Sequence, residues 1–389
     1  MKLFVRIIRA AYRRMHGFRL KIVEKIYWII CPIIYHFEEK KQRKIPIDRE
    51  LPVLYFCHTP YHLLITLVKA MLSGQETAIM LYKKMPNVQD LYGVIREAGL
   101  FKNVYISTFS DDELDRYYQY KQKKYFQRWA LKRKLMEKEH NLGIVQAYCV
   151  KMYNDFCLLG YYLNVIRKPY DVIEDALDVY RKGGFIDRHC LKPYREIAYN
   201  YVRKTICMGY CGAAMARELE VNDRKIVYMP YSVSLREVSR QEMFKALSEE
   251  QKALIVKIFG VKAVVEQLRA KDGKKNLILT QPLWADYIVP SAEIQLRLYE
   301  NLVQNMEGEI FIKLHPRDNV DYTGLENERC HVFVRNDFPI EVLNFVDVFF
   351  EECVTLCSSS IAGLINIKTA RSLFNEYGEI SKYVETMAE

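Results

Sequence analysis

The sequence lacks most of the short motifs that identify common enzyme classes. It contains no Walker A loop, no G-x-G-x-x-G fingerprint and no G-x-S-x-G elbow. These absences argue against P-loop nucleotide hydrolases, dinucleotide-dependent dehydrogenases and serine hydrolases. There is also no D-x-D pair, so a glycosyltransferase that binds a metal–diphosphate donor is not indicated, and we predict no metal site.

Cysteine is present but forms no recognisable framework. The ten cysteines are scattered, and the pairs Cys207/Cys211 and Cys353/Cys357 are each four apart, not at the usual two-residue gap of zinc ribbons. No histidine pair follows either of them. We therefore interpret all ten as reduced thiols of a cytosolic protein.

Most of the chain has no large excess of positive or negative residues. The net charge is +10, but residues 1–50 alone hold 13 Lys and Arg against 5 Asp and Glu. The remainder is nearly neutral, which argues against a broad nucleic-acid surface and for a local anionic partner. We predict no nucleic-acid partner.

A hydrophobic run long enough to span a bilayer is missing too. The apolar run Ile26–Phe37 is short and contains Pro32. Residues 1–30 instead have the pattern of a basic amphipathic helix, which is typical of a membrane interface. We predict that residues 1–48 form an arm and linker, and that residues 1–37 bind an anionic membrane surface. This predicts a cytoplasmic protein, peripheral at the inner face of the plasma membrane. A helix packed on the globule, and a signal or transmembrane anchor, are the alternatives.

After the arm, short apolar strands alternate with helices, which predicts an α/β fold with parallel sheets. The length suggests two domains, which we place at residues 49–268 and 269–389. Helical patterns include Gln241–Leu268, and a helix is expected after the serines at 358–360. Strands are predicted at Leu51–Cys57, Thr77–Tyr82, Val104–Ser107, Tyr170–Ile173, Lys225–Met229, Asn276–Thr280, Ile310–Leu314, His331–Val334, Asp347–Glu351 and Arg371–Phe374.

Polar residues follow two strands of the first domain. Thr59 can cap a helix that begins at Pro60, and this turn exposes helix N–H groups to a ligand. Glu174 and Asp175 follow the strand Tyr170–Ile173. Adjacent carboxylates are costly to place together unless they are exposed or used, and a carboxylate can act as a general base.

Polar residues also follow strands of the second domain. His315 and Pro316 come directly after the strand Ile310–Leu314, where ligands of open α/β sheets bind. A histidine titrates near neutral pH and is well suited to proton transfer. The serines at 358–360 at a helix start are a candidate phosphate cradle.

Taken in order, four motifs of the chain resemble those of bacterial sialyltransferases. The motifs are Glu174-Asp175-Ala176, Lys313-Leu-His315-Pro316, Pro339-Ile-Glu341-Val-Leu and Ser358-Ser359-Ser360. The resemblance is greatest to glycosyltransferase family 52, the lipooligosaccharide and capsule sialyltransferase group. It covers about residues 51–375.

The resemblance implies a GT-B fold, with two Rossmann-like βα domains facing a central cleft. It implies an inverting, metal-independent reaction without a cofactor, with CMP-sialic acid as the donor substrate. The acceptor would be a terminal sugar, such as galactose, of a lipooligosaccharide, capsule or related surface glycan, which can be lipid-linked.

The resemblance also implies residue roles. Glu174 would be the general base with Asp175 beside it, and His315 the acid that neutralises the departing phosphate. The family motif ends in Gly where this chain has Ala176, so the choice between Glu174 and Asp175 stays open. The donor side would comprise Thr280, Gln281, Lys313, Pro316, Arg317, Glu341, Ser358, Ser359 and Ser360. The acceptor side would comprise His58, Thr59 and Tyr61.

Two other functions remain open from the sequence. One is a GT-B glycosyltransferase that uses another nucleotide sugar of the UDP-hexose type. The other is a non-catalytic protein that binds a membrane surface through the basic arm. The abundant aromatic residues and the basic helix also allow a homodimer.

Overall fold

The computed structural model describes residues 43–109, 143–155, 157–175, 215–227 and 233–373, together with isolated positions between 29 and 41. Most of the predicted basic helix, residues 1–28, lies outside the described residues. Within these ranges the protein forms two parallel sheets with helices, which confirms the α/β, GT-B-type prediction.

The first sheet has seven strands in the order β3-β2-β1-β4-β5-β6-β7. Its strands are β1 Val53–Cys57, β2 Thr77–Leu81, β3 Asn103–Ile106, β4 Cys149–Met152, β5 Tyr170–Ile173, β6 Ala216–Val221 and β7 Ser234–Glu237. The β1–β4, β2–β3, β4–β5, β5–β6 and β6–β7 pairs are parallel. Every residue of β1, β2 and β5 is buried, as expected for strands covered on both faces. The helices among these strands are α1 Pro60–Ser73, α2 Val88–Ala98 and α3 Leu158–Val165.

The turn between β1 and α1 forms as the sequence predicts. The Thr59 hydroxyl caps the helix by accepting a hydrogen bond from the His62 N–H at 3.2 Å. Pro60 occupies the first turn, where its missing N–H costs nothing. Gly74 ends the helix with a φ of 61°, a conformation that glycine adopts without strain.

The second sheet has five parallel strands in the order β10-β9-β8-β11-β12. The strands are β8 Lys275–Leu279, β9 Glu309–Lys313, β10 Cys330–Val332, β11 Phe350–Thr355 and β12 Ile367–Ser372. The chain order reverses between β8 and β11. Ligands of open α/β sheets bind at such a reversal, outside the carboxyl ends of the strands.

Helices connect and flank the two sheets. The helical stretch predicted at Gln241–Leu268 is broken into three helices. Ser248 and Gln251 form a capping box that starts a new helix, and Gly260, with a φ of 63°, separates the last two. The helices are α4 Arg240–Lys245, α5 Glu249–Ile258, α6 Lys262–Arg269 and, between β8 and β9, α7 Ala292–Gln304.

Several predicted strands are corrected. The strand predicted from Lys225 is wrong at its start, because Arg224–Ile226 is a 3-10 helix capped by Asp223. The strand predicted at Asp347–Glu351 lies further along the chain, as β11. Strands β4, β6 and β7 were not predicted at all.

Internal contacts divide the chain into two compact units, residues 1–56 with 107–238 and residues 57–106 with 239–389. In the second unit, the Gln251 side-chain amide donates to the Met71 carbonyl at 3.3 Å, which ties α5 to α1. This division does not test the predicted domain boundary at residues 268/269, which stays a prediction.

Candidate active site

Several predicted site residues lie at the carboxyl edge of the second sheet. Thr280 follows β8, His315 follows β9 and Ser358 follows β11. Glu341 is on the 3-10 helix Ile340–Phe345, which precedes β11. The parallel topology therefore brings segments that are far apart in sequence to one edge, as the sequence predicts.

Hydrogen bonds connect the loops after β8 and β9. The Thr280 hydroxyl accepts from the His315 N–H at 2.9 Å, and the Thr280 N–H donates to the Lys313 carbonyl at 3.0 Å. Thr280 is buried, so its hydroxyl acts as a structural link beside the predicted phosphate acid.

The loop after β11 is connected to β8 in the same way. The Thr355 hydroxyl donates to the Leu279 carbonyl at 3.3 Å and accepts from the Ser358 N–H at 2.9 Å. Thr355 is fully buried. The start of the serine segment is therefore held against the end of β8, at the chain reversal.

The His315 ring is held in one orientation. Its Nδ1 accepts a hydrogen bond from the Arg317 N–H at 3.1 Å, which places the proton of the neutral ring on Nε2. Burial lowers the pKa of His315, and the charges of Arg317 and Lys313 lower it further. In the free protein at neutral pH the ring is therefore a neutral Nε2–H donor, rather than the cation that its role as an acid would suggest.

Lys313 is buried beneath the histidine loop. Its ammonium donates to the carbonyls of Asn336 at 3.1 Å and Leu314 at 3.3 Å, and lies 4.9 Å from the centroid of the Phe338 ring. Burial lowers the pKa of Lys313 to about 8. In this arrangement the ammonium supports the backbone of the loop, and the predicted donor contact of Lys313 stays a prediction.

Asn336 is a residue that the sequence did not single out. Its side-chain oxygen accepts from the Leu314 N–H at 2.8 Å, and its amide donates to the Phe333 carbonyl at 3.0 Å. Together with Lys313 it fixes the end of β9, directly before His315. A polar residue in a loop between two strands carries no sequence signal for this role.

Glu341 is a buried carboxyl group. Burial raises its pKa to about 7, and the positive charge of Lys313 opposes this rise. The group is therefore protonated at a higher pH than an exposed glutamate is. A carboxylate that is poorly hydrated accepts hydrogen bonds from ligand hydroxyls strongly.

The serine segment is a tight turn. The hydroxyl oxygens of Ser358 and Ser360 are 2.9 Å apart, and the Ser360 N–H donates to Ser358 Oγ at 3.3 Å. The predicted helix after them is a five-residue 3-10 helix, Ser359–Gly363. A dipole of a long helix therefore does not contribute here, and phosphate binding would rest on hydroxyl and N–H groups. The side chain of Ser359 is not among those that the structure describes.

The remaining predicted donor residues lie on the loops that follow β8 and β9. Arg317 forms a bidentate ion pair with Asp286, with distances of 2.7 and 3.1 Å, and is largely exposed. Pro316 is exposed as well. Gln281 is held through its backbone, because its N–H donates to the Tyr299 hydroxyl at 2.8 Å.

Gln295 on α7, also missed by the sequence interpretation, joins two loops of this edge. It is fully buried, and its amide nitrogen lies 2.9 Å from the Gln281 carbonyl, 3.0 Å from Asp318 Oδ1 and 2.7 Å from the Tyr322 hydroxyl. Gln281 belongs to the loop after β8 and Asp318 to the loop after β9. The network therefore fixes the spacing of the loops that carry Thr280 and His315.

In the first sheet, Glu174 follows β5 and is buried. Its Oε2 accepts from the Asn222 N–H at 2.7 Å, and its own N–H donates to the Glu220 carbonyl at 2.8 Å. Asp175 is half-buried, and Ala176 lies outside the described residues. The geometry holds the Glu174 carboxylate at the end of its strand, while the roles of both carboxylates stay predictions.

The predicted acceptor residues follow β1. The Thr59 hydroxyl is engaged in capping α1, and the His58 N–H donates to His62 Nδ1 at 3.1 Å. The rings of His58 and Tyr82 have centroids 5.0 Å apart, and Tyr61 is half-buried. Their part in acceptor binding stays a prediction.

No group of three or more His, Cys, Asp and Glu side chains in the described ranges could hold a metal ion. Whether the reaction needs a metal ion is not decided by this observation, so the metal-independent reaction stays a prediction.

Comparison with known proteins supplies the family. The profile of glycosyltransferase family 52 matches residues 102–372. An uncharacterized protein of Haemophilus influenzae is 27% identical over 124 residues, which are 32% of this chain and 39% of the relative. The chain therefore matches less than half the length of that relative.

Two solved structures are similar at low identity. One is a 2,6-sialyltransferase of Photobacterium sp. JT-ISH-224 in complex with CMP and lactose, with 14% identity, a TM-score of 0.47, and coverage of 82% of this chain and 71% of that chain. The other is a UDP-GlcNAc 2-epimerase of Neisseria meningitidis bound to UDP-GlcNAc, with 10% identity, a TM-score of 0.47, and coverage of 80% and 79%. The family match covers most of the chain and confirms the predicted family. This protein belongs to glycosyltransferase family 52, the family whose motifs its sequence resembles.

Proposed function

We propose that the enzyme transfers sialic acid from CMP-sialic acid to a terminal sugar, such as galactose, of a lipooligosaccharide, capsule or related surface glycan. The observation that supports this most is the arrangement at the carboxyl edge of the second sheet. An oriented histidine, paired serine hydroxyls and a buried carboxyl group lie on loops around the chain reversal. These groups suit the phosphate and the ribose hydroxyls of a nucleoside monophosphate leaving group.

The proposed reaction is a single displacement. An oxygen of the acceptor hydroxyl attacks the anomeric carbon of sialic acid, and the bond from that carbon to the CMP phosphate oxygen breaks with its electron pair. The hydroxyl proton passes to the carboxylate of Glu174 or Asp175. His315 donates a hydrogen bond from Nε2–H to the departing phosphate oxygen and so stabilises its growing negative charge. Transfer of the proton itself requires the ring first to take up a second proton at Nδ1, which the negative phosphate favours and which replaces the hydrogen bond from the Arg317 N–H.

The proposal is tested by incubating the purified protein with CMP-sialic acid and a galactose-terminated acceptor in the presence of EDTA. We expect sialyl transfer and release of CMP at the same rate with and without the chelator. Absence of both products would contradict the proposed donor, and a loss of rate with EDTA would contradict a metal-independent reaction. Omitting the acceptor is the control for slow hydrolysis of the donor.

The alternative donor class is separated by nucleotide binding. A thermal-shift comparison of CMP, UDP and GDP should show the largest stabilisation with CMP, because a ligand that binds the folded state raises its stability. Preferential stabilisation by UDP would favour a UDP-hexose donor. Family membership already favours an enzyme over the non-catalytic alternative.

We propose further that the enzyme is peripheral at an anionic membrane surface on the cytoplasmic side. The described positions between 29 and 41 are helical, and Ile29, Ile33 and Phe37 are 68%, 57% and 61% exposed. A spacing of four residues is the spacing of one helix face, and in the sequence Glu38 and Glu39 separate Phe37 from basic residues at 40, 41, 43 and 44. Exposed apolar residues next to basic ones favour an anionic lipid surface. No helix that the structure describes is long and apolar enough to cross a bilayer.

The linker behind this helix is docked on the first sheet. The Arg217 guanidinium donates to the Ile45 carbonyl at 2.9 Å, and Arg49 forms an ion pair with the buried Asp171. Asp171 and Arg217 are near the amino ends of β5 and β6, whereas Glu174 follows the carboxyl end of β5. The linker therefore joins the first sheet at the amino ends of its strands. This would leave the opposite edge, where Glu174 lies, accessible to an acceptor.

Membrane binding is tested by co-sedimentation with vesicles of neutral lipid, with and without anionic lipid. We expect binding to the anionic vesicles, and a loss of about tenfold or more in the double variant Ile33→Glu/Phe37→Glu, because the charges oppose burial in the interface. Phe349→Glu, at an exposed apolar residue of the other unit, is the matched control. If the double variant instead dissociates a dimer and leaves vesicle binding unchanged, the face is an interface between two copies.

A further inference from the structure

Gly363 lies against the side chain of Glu341. A Cβ atom placed on Gly363 would be 2.7 Å from Glu341 Cγ and 2.8 Å from Glu341 Oε1, closer than such atoms approach each other in proteins. The backbone of Gly363 is not in the left-handed region that requires glycine. Glycine at position 363 therefore matters because it has no side chain, which leaves space for the Glu341 carboxyl group.

Two asparagines hold this contact in place. The Asn344 amide donates to the Gly363 carbonyl at 2.8 Å, and its side-chain oxygen accepts from the Ile365 N–H at 2.9 Å. The Asn366 amide donates to the Leu343 carbonyl at 2.9 Å. The turn after the serines is therefore hydrogen-bonded to the 3-10 helix Ile340–Phe345 at Gly363, Ile365 and Asn366.

The fixed turn is continuous with the serine segment. Gly363 is the last residue of the 3-10 helix Ser359–Gly363, which begins immediately after Ser358. Glu341 and the hydroxyls of Ser358 and Ser360 therefore belong to one connected element, joined through Gly363 and Asn344. A connected element of this kind keeps the distance between a carboxyl group and a pair of hydroxyls constant.

We propose that Gly363 is a positioning residue for nucleotide binding. By leaving room for the Glu341 carboxylate, it holds that group beside the serine segment, where Glu341 can accept hydrogen bonds from the ribose hydroxyls while the serines bind the 5′-phosphate. This inference rests on the proposed donor site, but it requires only a ribonucleotide with an unmodified ribose. It assigns no contact between Gly363 and the substrate, because Gly363 acts through Glu341.

The first part of the test compares Gly363→Ala with Gly324→Ala. Gly324 is on another 3-10 helix of the same unit, and a Cβ atom there would meet nothing within 4 Å. We expect Gly363→Ala to weaken nucleotide binding by about 10- to 100-fold, because a displaced binding group loses most of its contribution. Gly324→Ala should bind like the unaltered enzyme. Calorimetric titration with CMP measures both, and thermal melting confirms that the variants are folded.

The second part asks whether the effect passes through Glu341. Glu341→Ala removes Cγ and Oε1, the two atoms that the new Cβ atom would approach most closely. In that background, Gly363→Ala should cost no more than about threefold, since the two substitutions then act on the same contact. A full additional loss in the double variant would mean that Gly363 has a general structural role, and unchanged binding in Gly363→Ala would also overturn the proposal.

A wrong donor and a wrong role for Gly363 would give different results. If the unaltered enzyme binds UDP rather than CMP, the proposed donor is wrong, and UDP is then titrated into the unaltered enzyme, the single variants at positions 341 and 363, and the double variant. Coupling between the two positions would then support the positioning role independently. If no ribonucleotide binds the unaltered enzyme, both proposals fail.

Discussion

Replacing His315 with alanine should lower the rate of sialyl transfer by roughly 10²- to 10⁴-fold, the usual cost of losing a general acid. The expected reason is the loss of the Nε2–H donor to the departing phosphate oxygen. The backbone of residue 315 would keep its hydrogen bond to Thr280, so the loop should stay in place. The measurement is initial-rate kinetics with CMP-sialic acid, combined with thermal melting of the variant.

His331→Ala is the matched control for this prediction. His331 is on the neighbouring strand β10, and its ring lies 2.8 Å from Glu309 at the amino end of β9, away from the donor loops. Its removal should leave the rate within about threefold of the unaltered enzyme, as expected for a substitution outside the site. A wild-type rate in His315→Ala would remove His315 from the mechanism.

A second substitution separates proton transfer from hydrogen bonding. The amide of His315→Asn can donate a hydrogen bond to the phosphate but cannot transfer a proton at neutral pH. If the phosphate needs only a donor, this variant should retain more activity than His315→Ala. If it needs the proton, the two variants should be equally slow. The lowered pKa of His315 in the free protein makes this distinction informative, because the ring starts as the neutral form.

Local sequence signals predicted the elements that depend on local interactions. The cap at Thr59, the proline that follows it and the apolar strand Tyr170–Ile173 are all encoded within a few residues, and each forms as expected. The edge of the second sheet was predictable for a related reason. Parallel strands place their carboxyl ends together, so residues after separate strands converge without any further information.

Strand β6 was missed because its stability depends on a residue elsewhere. Its sequence, from Ala216 to Val221, contains arginine and glutamate, which favour helices in isolation. In the structure, Arg236 on β7 forms ion pairs of 2.7 Å with both Glu218 and Glu220. Glu220 is almost fully buried by this pairing. No pattern within six residues reveals a partner on another strand.

The supporting residues of the site were missed for the same physical reason. Gln295 is an unremarkable polar residue of a helix in the sequence, yet it joins two loops that lie after β8 and after β9. Gly363 reads as a turn residue, and its contact with Glu341 is visible only once the two 3-10 helices are packed together. Residues with chemical function are recognisable by type, whereas residues that position them are defined by distant partners.

Replacing Glu174 with glutamine should have an effect of similar size, roughly a 10²- to 10⁴-fold loss of the transfer rate. Glutamine has nearly the same shape, and its side-chain oxygen can still accept the hydrogen bond that the Asn222 N–H donates to Glu174 at 2.7 Å. It cannot accept a proton from the acceptor hydroxyl. The fold and the affinity for CMP should therefore be preserved while turnover falls.

Asp175→Asn is the variant that decides between the two carboxylates. Glu174 is buried and held by a backbone N–H group, whereas Asp175 is half-buried at the strand end. If Glu174 is the base, Asp175→Asn should reduce the rate much less than Glu174→Gln does. The reverse order would assign the base to Asp175, and two small effects would exclude a carboxylate base at this strand end.

Asp223→Asn controls for changing a carboxylate to an amide at the same edge of the first sheet. Asp223 follows Asn222 and caps the 3-10 helix Arg224–Ile226, and an asparagine can accept the same hydrogen bond from the Lys225 N–H. Its rate should match that of the unaltered enzyme. A general base also leaves a signature in the pH dependence, because the rate of the unaltered enzyme should fall as the carboxylate is protonated at low pH. Measured at saturating CMP-sialic acid, so that protonation of Glu341 in the donor site does not lower occupancy, this fall should disappear in Glu174→Gln if Glu174 accepts the proton, and should persist if Asp175 does.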